Sequence, residues 1–554
     1  MFPLIRSRPA ASKPRAGVGR RLGGGIRKSI VFAAMTLLVS SNGSMAQAPG
    51  GVSRGASGSL PSLGDNLELA AGAERRIGDR IAASIYRDPD YIDDPVLSDY
   101  VQSIWQPLMA AAKARGELNP ELAERFAWEL FLLRDRSINA FALPGGYFGV
   151  HLGLIGAVNS RDELAAVLGH ELSHVTQRHI SRLITQQART TPWLIGAMIL
   201  GALAASKSPQ AAEAAIMGGQ AVAAQAQLNF SRDMEREADR VGFGVMTDAG
   251  FDSRGVGSMF EKLQQASRIN DNGSFPYLRS HPLTTERIAE ARARLQLALQ
   301  NAPARDKAEL EEAAQARFLH AMMAARARVL ADPGVDALRA MVAEAQRQVR
   351  PAQAQAPQTS SADIRGAGAL YAGALAAAKL RDFTLARSLT EKLKALAAGN
   401  LQALNAADLL SLELDLLAGV VPTALPRIDI SKTTSRAELL MQSRALLAAG
   451  RAQEVDGRLL TWVTAHPRDA AAWQLLAVAY GNQNQNVRAI RADAEGRAAQ
   501  LDYNGALDRF RAAQAMIRSN PGSADFMEGS IIDARTRQLD LLVKEKALQD
   551  KLDR

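Results

Sequence analysis

Cysteine is absent from all 554 residues of the chain. That excludes disulfides, thiol nucleophiles, lipidated cysteines and cysteine-built metal sites, so the fold must rest on its core and on any metal held by histidine and carboxylate. Such a ligand set is typical of catalytic sites with an open coordination position. Histidine is also scarce, at seven residues. Two apolar runs stand out, Ile30–Val39 and Trp193–Ala205, but they hold ten and thirteen residues. A helix needs roughly 20 to cross about 30 Å of hydrocarbon. Trp193–Ala205 therefore reads as a buried hairpin or an interfacial lid, compatible with peripheral membrane contact, before a break at Ser206–Pro209 and a small-residue stretch from Ala211 to Ala224.

Acidic residues are missing from positions 1–46, which carry Arg6, Arg8, Lys13, Arg15, Arg20, Arg21, Arg27 and Lys28. These supply most of the formal charge of +9 and leave about +1 for the remainder. No basic footprint for nucleic acid survives. The same stretch has the parts of an export signal: a basic region ending at Arg27-Lys28, the apolar Ile30–Val39, and small residues Ser44-Met45-Ala46 before Gln47. Residues 47–64, rich in Gly, Ser, Ala and Pro, follow as a flexible N-terminus.

The length suggests two to four domains. An Ala, Leu and Arg bias in the second half favours helix. From Leu67 to about Arg115 the spacing is helical, with Ile81, Ile85, Leu97, Val101, Ile104 and Leu108 as a core face. Strand-like runs come next, Phe126–Leu133, Ser137–Leu143 and Tyr147–Leu152, with a turn at Pro144-Gly145-Gly146. A small sheet is expected.

Val167–His179 holds the most informative motif, His170-Glu171-x-x-His174. On a helix, positions i and i+4 share a face, so two imidazoles converge on one metal while Glu171 points at the metal's water. With seven histidines in 554 residues, the chance expectation of this pattern is below about one in a hundred. Ser160 and Glu163 form a capping box that starts the helix, and Leu164, Val167, Leu168 and Val175 supply a buried stripe. The preceding Ile138–Leu143, through Asn139, Ala140 and Phe141, is a candidate edge strand for gripping the main chain of an extended peptide; a hairpin serving only the core is the alternative.

Two histidines need a third protein ligand. Ser231–Asp239 reads as a second helix on which Glu235 and Asp239 share a face, while Glu237, two residues on, faces away and competes for the role. His281 lies in a loop, Asp271–Pro282, before Thr284 as a helix cap. His151 and His179 read as structural or exposed, because their spacing gives no defined route to the ion. His320 and His466 fall in helical regions without a partner carboxylate pattern.

His170-Glu171-x-x-His174 followed by Ser231-Arg232-x-x-Glu235-x-x-Ala238-Asp239 resembles the zinc peptidase family that contains HtpX and the CAAX prenyl endopeptidases. The likeness extends to its secreted bacterial branch, in which a tetratricopeptide-repeat (TPR) domain follows the peptidase, and covers Ile138–Gly146, both helices, Ser280-His281-Pro282 and a repeat-like C-terminus. The resemblance implies one Zn2+ held by His170, His174 and Glu235, with Glu171 as general base and Asp239 as proton donor. On physical grounds alone, Asp239 would orient a ligand histidine. In that branch the histidine matching His281 can fill the open zinc position and hold the enzyme latent. The implied reaction is peptide-bond hydrolysis in the periplasm, on misfolded or stalled outer-membrane proteins, with the β-barrel assembly complex as partner.

Beyond a Pro/Gln/Ala/Ser linker at Pro351–Asp363, Trp473, Leu476, Ala477 and Tyr480 fit the first helix of a TPR and Ala506, Phe510 and Ala513 the second helix of another. Pro467 falls where a repeat should end, Ala374 and Ala386 suggest an earlier unit, and Gly481–Val487 departs from a regular period. The expected architecture is mainly α: a signal peptide at 1–46, a gluzincin-type α+β metalloprotease domain with a small sheet over 65–325, a helical connector and linker at 326–363, and an α-solenoid TPR domain at 364–554. A chaperone or scaffold with a latent metal site is the rival to the protease.

Overall fold

The computed structural model describes residues 69–186, 232–268, 276–301, 303–348, 360–422, 425, 428–520, 522 and 526–552. The expected export signal, residues 47–64, Trp193–Ala205, Ala211–Ala224, Ser231, most of Pro351–Asp363 and part of Asp271–Pro282 lie outside them. Among the described residues no helix is long and apolar enough to cross a membrane.

An amphipathic helix, Ala71–Ile85, buries Ile77, Ile81 and Ile85. It is followed by Pro95–Ala114, which starts where the Asp94 carboxylate accepts from the Leu97 amide at 2.8 Å and Pro95 occupies the first turn. Leu97, Val101, Ile104, Trp105 and Leu108 of the second helix are buried. At about 1.5–3 kcal/mol per large apolar side chain, that stripe is a main support of the first core.

Four strands, β1 (Tyr91–Ile92), β2 (Glu129–Leu133), β3 (Ala140–Leu143) and β4 (Tyr147–His151), form a sheet in the order β1-β2-β4-β3. β2 and β4 run parallel, and the other neighbours are antiparallel. β3 is thus an edge. Its hairpin to β4 turns through Gly145 and Gly146 at φ 74° and 77°, a region open to glycine without penalty. Opposite Phe141 stands Gly149, where a Cβ would lie 2.1 Å from the Phe141 ring. The strands begin later than the sequence suggests. Phe126 caps a short helix, Pro120–Arg125, Trp128 bends at φ 52°, and the Ser137 amide donates to the Asp135 carboxylate at 2.8 Å, so both segments turn before they extend.

The helix Arg161–Thr176 carries the motif and contacts β3 on one side and the helix Arg232–Asp248 on another. Ser160 caps it by accepting from the Glu163 amide at 3.2 Å. The return arm of the expected box is displaced by one residue. Glu163 accepts from the Asn159 amide and from Lys262, each at 2.7 Å, so the cap also ties down the helix Arg254–Arg268. Gly169 and Gly242 meet where the motif helix crosses Arg232–Asp248; a Cβ on Gly242 would sit 2.9 Å from the Gly169 carbonyl.

Thr285–Asn301 and Lys307–Leu330 follow. The second runs unbroken past position 325, and its Arg326 is buried between Asp94, Glu413 and the Tyr371 hydroxyl. One core accordingly extends from Ala71 to Ala445. After Val335–Arg347, a helix capped by Ser360 begins at Ser361, earlier than position 364, and opens a stack of consecutive helices from Ser361–Lys379 to Phe526–Leu552. Connectors of three or four residues, such as Gln483–Gln485, force many neighbours antiparallel. Trp473, Leu476 and Tyr480 enter a second core, and Ala506, Phe510 and Ala513 a third. This helical repeat region follows a mainly helical part that holds one small mixed sheet.

Candidate active site

His170 and His174 project from one face of the motif helix with their Nε2 atoms 2.9 Å apart. From the neighbouring helix, Glu235 brings a carboxylate oxygen to 3.5 Å from each. His281, just after the short helix Tyr277–Ser280, sets its Nδ1 3.0 Å from Glu235 and 3.3 Å from His170. The four side chains are buried, with ligand atoms all within 4.8 Å of one another. Tyr277 stacks on His281 at 4.6 Å between ring centroids and holds it in place.

Behind this cluster each motif histidine has its own support. His170 Nδ1 lies 3.0 Å from Asp239, whose two oxygens accept from Arg287 at 2.6 and 2.8 Å. Arg287 also lies 2.7 Å from Glu235 and donates to the Pro282 carbonyl at 2.8 Å, binding the Glu235 helix to the His281 segment. His174 Nδ1 faces His179 Nδ1 at 2.8 Å, and His179 Nε2 lies 3.0 Å from Glu237. Of the two readings of His179, structural or exposed, the structure takes the first, because the chain folds back at Arg178 and buries His179 against His174. Glu237 accepts from Arg182 at 2.8 Å and stays out of the cluster. His151 bonds Ser137, and His320 bonds Tyr100 and the Val158 carbonyl, each buried and remote.

Charge in the cluster is divided unevenly between the two motif histidines. Burial opposes a charged His170, but hydrogen bonds from it to Asp239 and Glu235 outweigh burial and push its pKa up to about 10. Burial and the charge on His170 push His174 well below the usual range. Glu235 is held well below the carboxylate range by His281 and His170 despite its burial. Metal binding fits these residues: His170 Nδ1 donates to an acceptor-only carboxylate, and its Nε2, turned toward His174 Nε2 and Glu235, can exchange a proton for a metal ion. Two imidazoles and a carboxylate form a known catalytic ligand set.

Glu171 lies alongside. It is buried, and neither of its oxygens finds a hydrogen-bond partner among the described residues. Its polar neighbours include His281 Nε2 at 3.4 Å and the Ala142 amide on the edge strand. Burial raises its pKa, as suits a group that must accept a proton.

A helix-borne pair of histidines, a glutamate from a second helix and an unsatisfied glutamate beside them define a metalloendopeptidase. Residues 96–295 match peptidase family M48, and the chain carries a domain of that family. It is 29% identical over 485 residues to the beta-barrel assembly-enhancing protease of Escherichia coli K12, an alignment that covers 87% of this chain and 91% of that protein. A Vibrio cholerae protein provisionally given the same name is 36% identical over 237 residues, 42% of this chain and 47% of its own length. The mitochondrial metalloendopeptidase OMA1 of Arabidopsis thaliana is 30% identical over 192 residues, 34% of this chain and 35% of that one.

Sequence reasoning missed Arg287, Tyr277 and His179. A lone tyrosine before a His-Pro, or a lone arginine after it, has no signature of its own. His179 did have one: it is a histidine just past the motif helix in a chain with only seven.

Proposed function

We propose that the chain is an exported zinc metalloendopeptidase of outer-membrane protein quality control, with His170, His174 and Glu235 as zinc ligands. The observation that carries this reading is the buried meeting of two imidazole Nε2 atoms and a carboxylate, beside a glutamate without a hydrogen-bond partner among the described residues. Zinc held there would supply Lewis acidity, drawing the pKa of a water toward about 7 and polarising the scissile carbonyl. Glu171 accepts the water's proton and returns it to the leaving amine. Asp239 orients His170, since both its oxygens are engaged; proton donation would require its release from Arg287.

Asn139, Ala140 and Phe141 would align the main chain of an extended substrate, a reading supported by the edge position of β3 and by the Ala142 amide beside Glu171. The relatives' name supports a role in outer-membrane protein assembly, with misfolded or stalled barrels as substrates and the β-barrel assembly complex as partner. In this reading the peptidase occupies 65–325, the connector and linker 326–363, and TPR units from 364 on offer a curved surface to polypeptides. Periplasmic delivery follows from the export signal.

The position of His281 against Glu235 and His170 favours a second state, a latent protease that serves as a chaperone or scaffold. Cleavage of an unfolded outer-membrane protein by the purified chain should require zinc and be lost in Glu171→Gln. Barrel assembly that persists without cleavage identifies the scaffold. His281→Ala should raise proteolysis; unchanged or lower activity discards the latch.

A further inference from the structure

Nothing in the metal-binding motif requires His179. On an unbroken helix, a residue five positions after His174 would point about 140° away from it. The motif helix, however, stops at Thr176, and Arg178 adopts φ 58°. For a residue with a Cβ this backbone region is strained and persists where the surroundings hold it. Arg178 is held by the buried Glu74 carboxylate at 3.0 Å, by the Leu69 carbonyl and by the Ser181 hydroxyl at 3.1 Å. The chain restarts as His179–Gln186, with the His179 ring buried edge-to-face against His174 at 4.9 Å between centroids.

Two imidazole nitrogens 2.8 Å apart share one proton, so one donates and the other accepts. His179 Nε2 is 3.0 Å from Glu237, whose carboxylate also accepts from Arg182 at 2.8 Å. An ionised carboxylate only accepts, so Nε2 of His179 carries hydrogen and Nδ1 of the neutral ring is bare. His174 must then donate from Nδ1. Its own Nε2 is left bare, and that is the atom turned toward His170 and Glu235.

We propose that His179 and Glu237 form a positioning relay that fixes the tautomer of His174: His174 Nδ1–H donates to His179 Nδ1, and His179 Nε2–H donates to Glu237. The relay does for His174, through one extra ring, what Asp239 does directly for His170. It rests on the metal-site reading above. Without His179, the Nδ1 proton of His174 loses its buried acceptor and the ring gains freedom to present the wrong nitrogen.

The test measures zinc affinity by chelator competition for the full chain, His179→Leu and His179→Asn, together with histidine tautomers by 15N NMR of the zinc-loaded wild type; seven histidines make selective labelling tractable. Loss of an outer partner of a metal-bound histidine typically weakens binding about 10- to 100-fold, and His179→Leu should fall in that range. His179→Asn, which restores an acceptor, should recover most of it. The spectra should show hydrogen on Nδ1 of His174 and on Nε2 of His179. Wild-type affinity in His179→Leu, or hydrogen on Nδ1 of His179, overturns the relay while leaving the metal site standing. Failure of the wild type to bind stoichiometric zinc overturns the metal site and the relay with it. If His179→Leu does not fold, the Asn variant and the wild-type spectra decide.

Discussion

The motif helix Arg161–Thr176 and the helix Ser361–Lys379 are both deeply buried, but by opposite means. The first buries Glu163, His170, Glu171, Ser173 and His174. Every residue the second buries is Gly, Ala or Leu, except Tyr371. Burying a polar or charged group is tolerable only with a partner of specified chemistry, so the first helix fixes its neighbours' identities. Close packing of small side chains fixes only their size. Substitutions should therefore alter chemistry in the first region and volume in the second.

The strongest break is Glu171→Gln, which keeps shape and removes the proposed base. Turnover on an unfolded outer-membrane protein should fall by about 10²–10⁴-fold, with zinc affinity and melting temperature close to wild type. Retained cleavage would remove Glu171 from the chemistry. At the seam of the two regions, Arg326→Ala leaves Asp94 and Glu413 facing each other without their shared cation. Stability should drop by about 3–5 kcal/mol, read from the urea midpoint, because an uncompensated buried charge costs that much. A loss under 1 kcal/mol would mean water compensates these carboxylates.

A remote histidine sharpens the contrast through pH. His320 is buried, accepts from Tyr100 at 2.6 Å and donates to the Val158 carbonyl at 2.9 Å, and burial pushes its pKa down to about 4. An unfolded chain binds this proton near pH 6.5 and the folded chain does not, so stability present above pH 6.5 is lost as pH falls toward 4. The loss should reach about 2 kcal/mol at pH 5. His320→Gln should flatten the fall in urea midpoint between pH 7 and pH 5; an identical slope would assign it to other groups.

How much of this was legible depended on distance along the chain. His170, Glu171, His174 and the Ser160 cap lie within one short helix and its N-terminus, so periodicity and capping rules expose them together. Glu235 and Asp239 were visible as one face of a second helix; the fold brings Glu235 into the cluster, while Glu237 meets His179 and Arg182. His179 was hidden by one left-handed residue, Arg178, whose conformation depends on Glu74, more than a hundred positions earlier. Arg287 and Tyr277 were hidden because their partners come from other helices. In the C-terminal stack, Trp473, Tyr480 and Phe510 announced helix pairs, but the stack enters the core that extends from Ala71 to Ala445 through Ser361–Lys379, whose small buried residues carry no pattern of their own.

The smallest effects test the comparison most directly, because one kind of substitution can be made in both regions. A Cβ on Gly242 would lie 2.9 Å from Gly169 and 3.0 Å from the His170 amide; one on Gly373 would lie 2.2 Å from the Ala345 Cβ. Either Gly→Ala change overpacks a helix contact, for about 1–3 kcal/mol. The consequences should then diverge. Gly242 sits on the helix that carries Glu235 and Asp239, so parting it from the motif helix draws the proposed ligand and the carboxylate beside His170 away from the histidines. Gly242→Ala should lower zinc affinity as well as melting temperature, and Gly373→Ala should lower melting temperature alone. Equal zinc affinity in the two variants would show that the cluster tolerates a helix shift, and that its geometry is set by the side-chain network through Arg287 instead of by the backbone approach at Gly169.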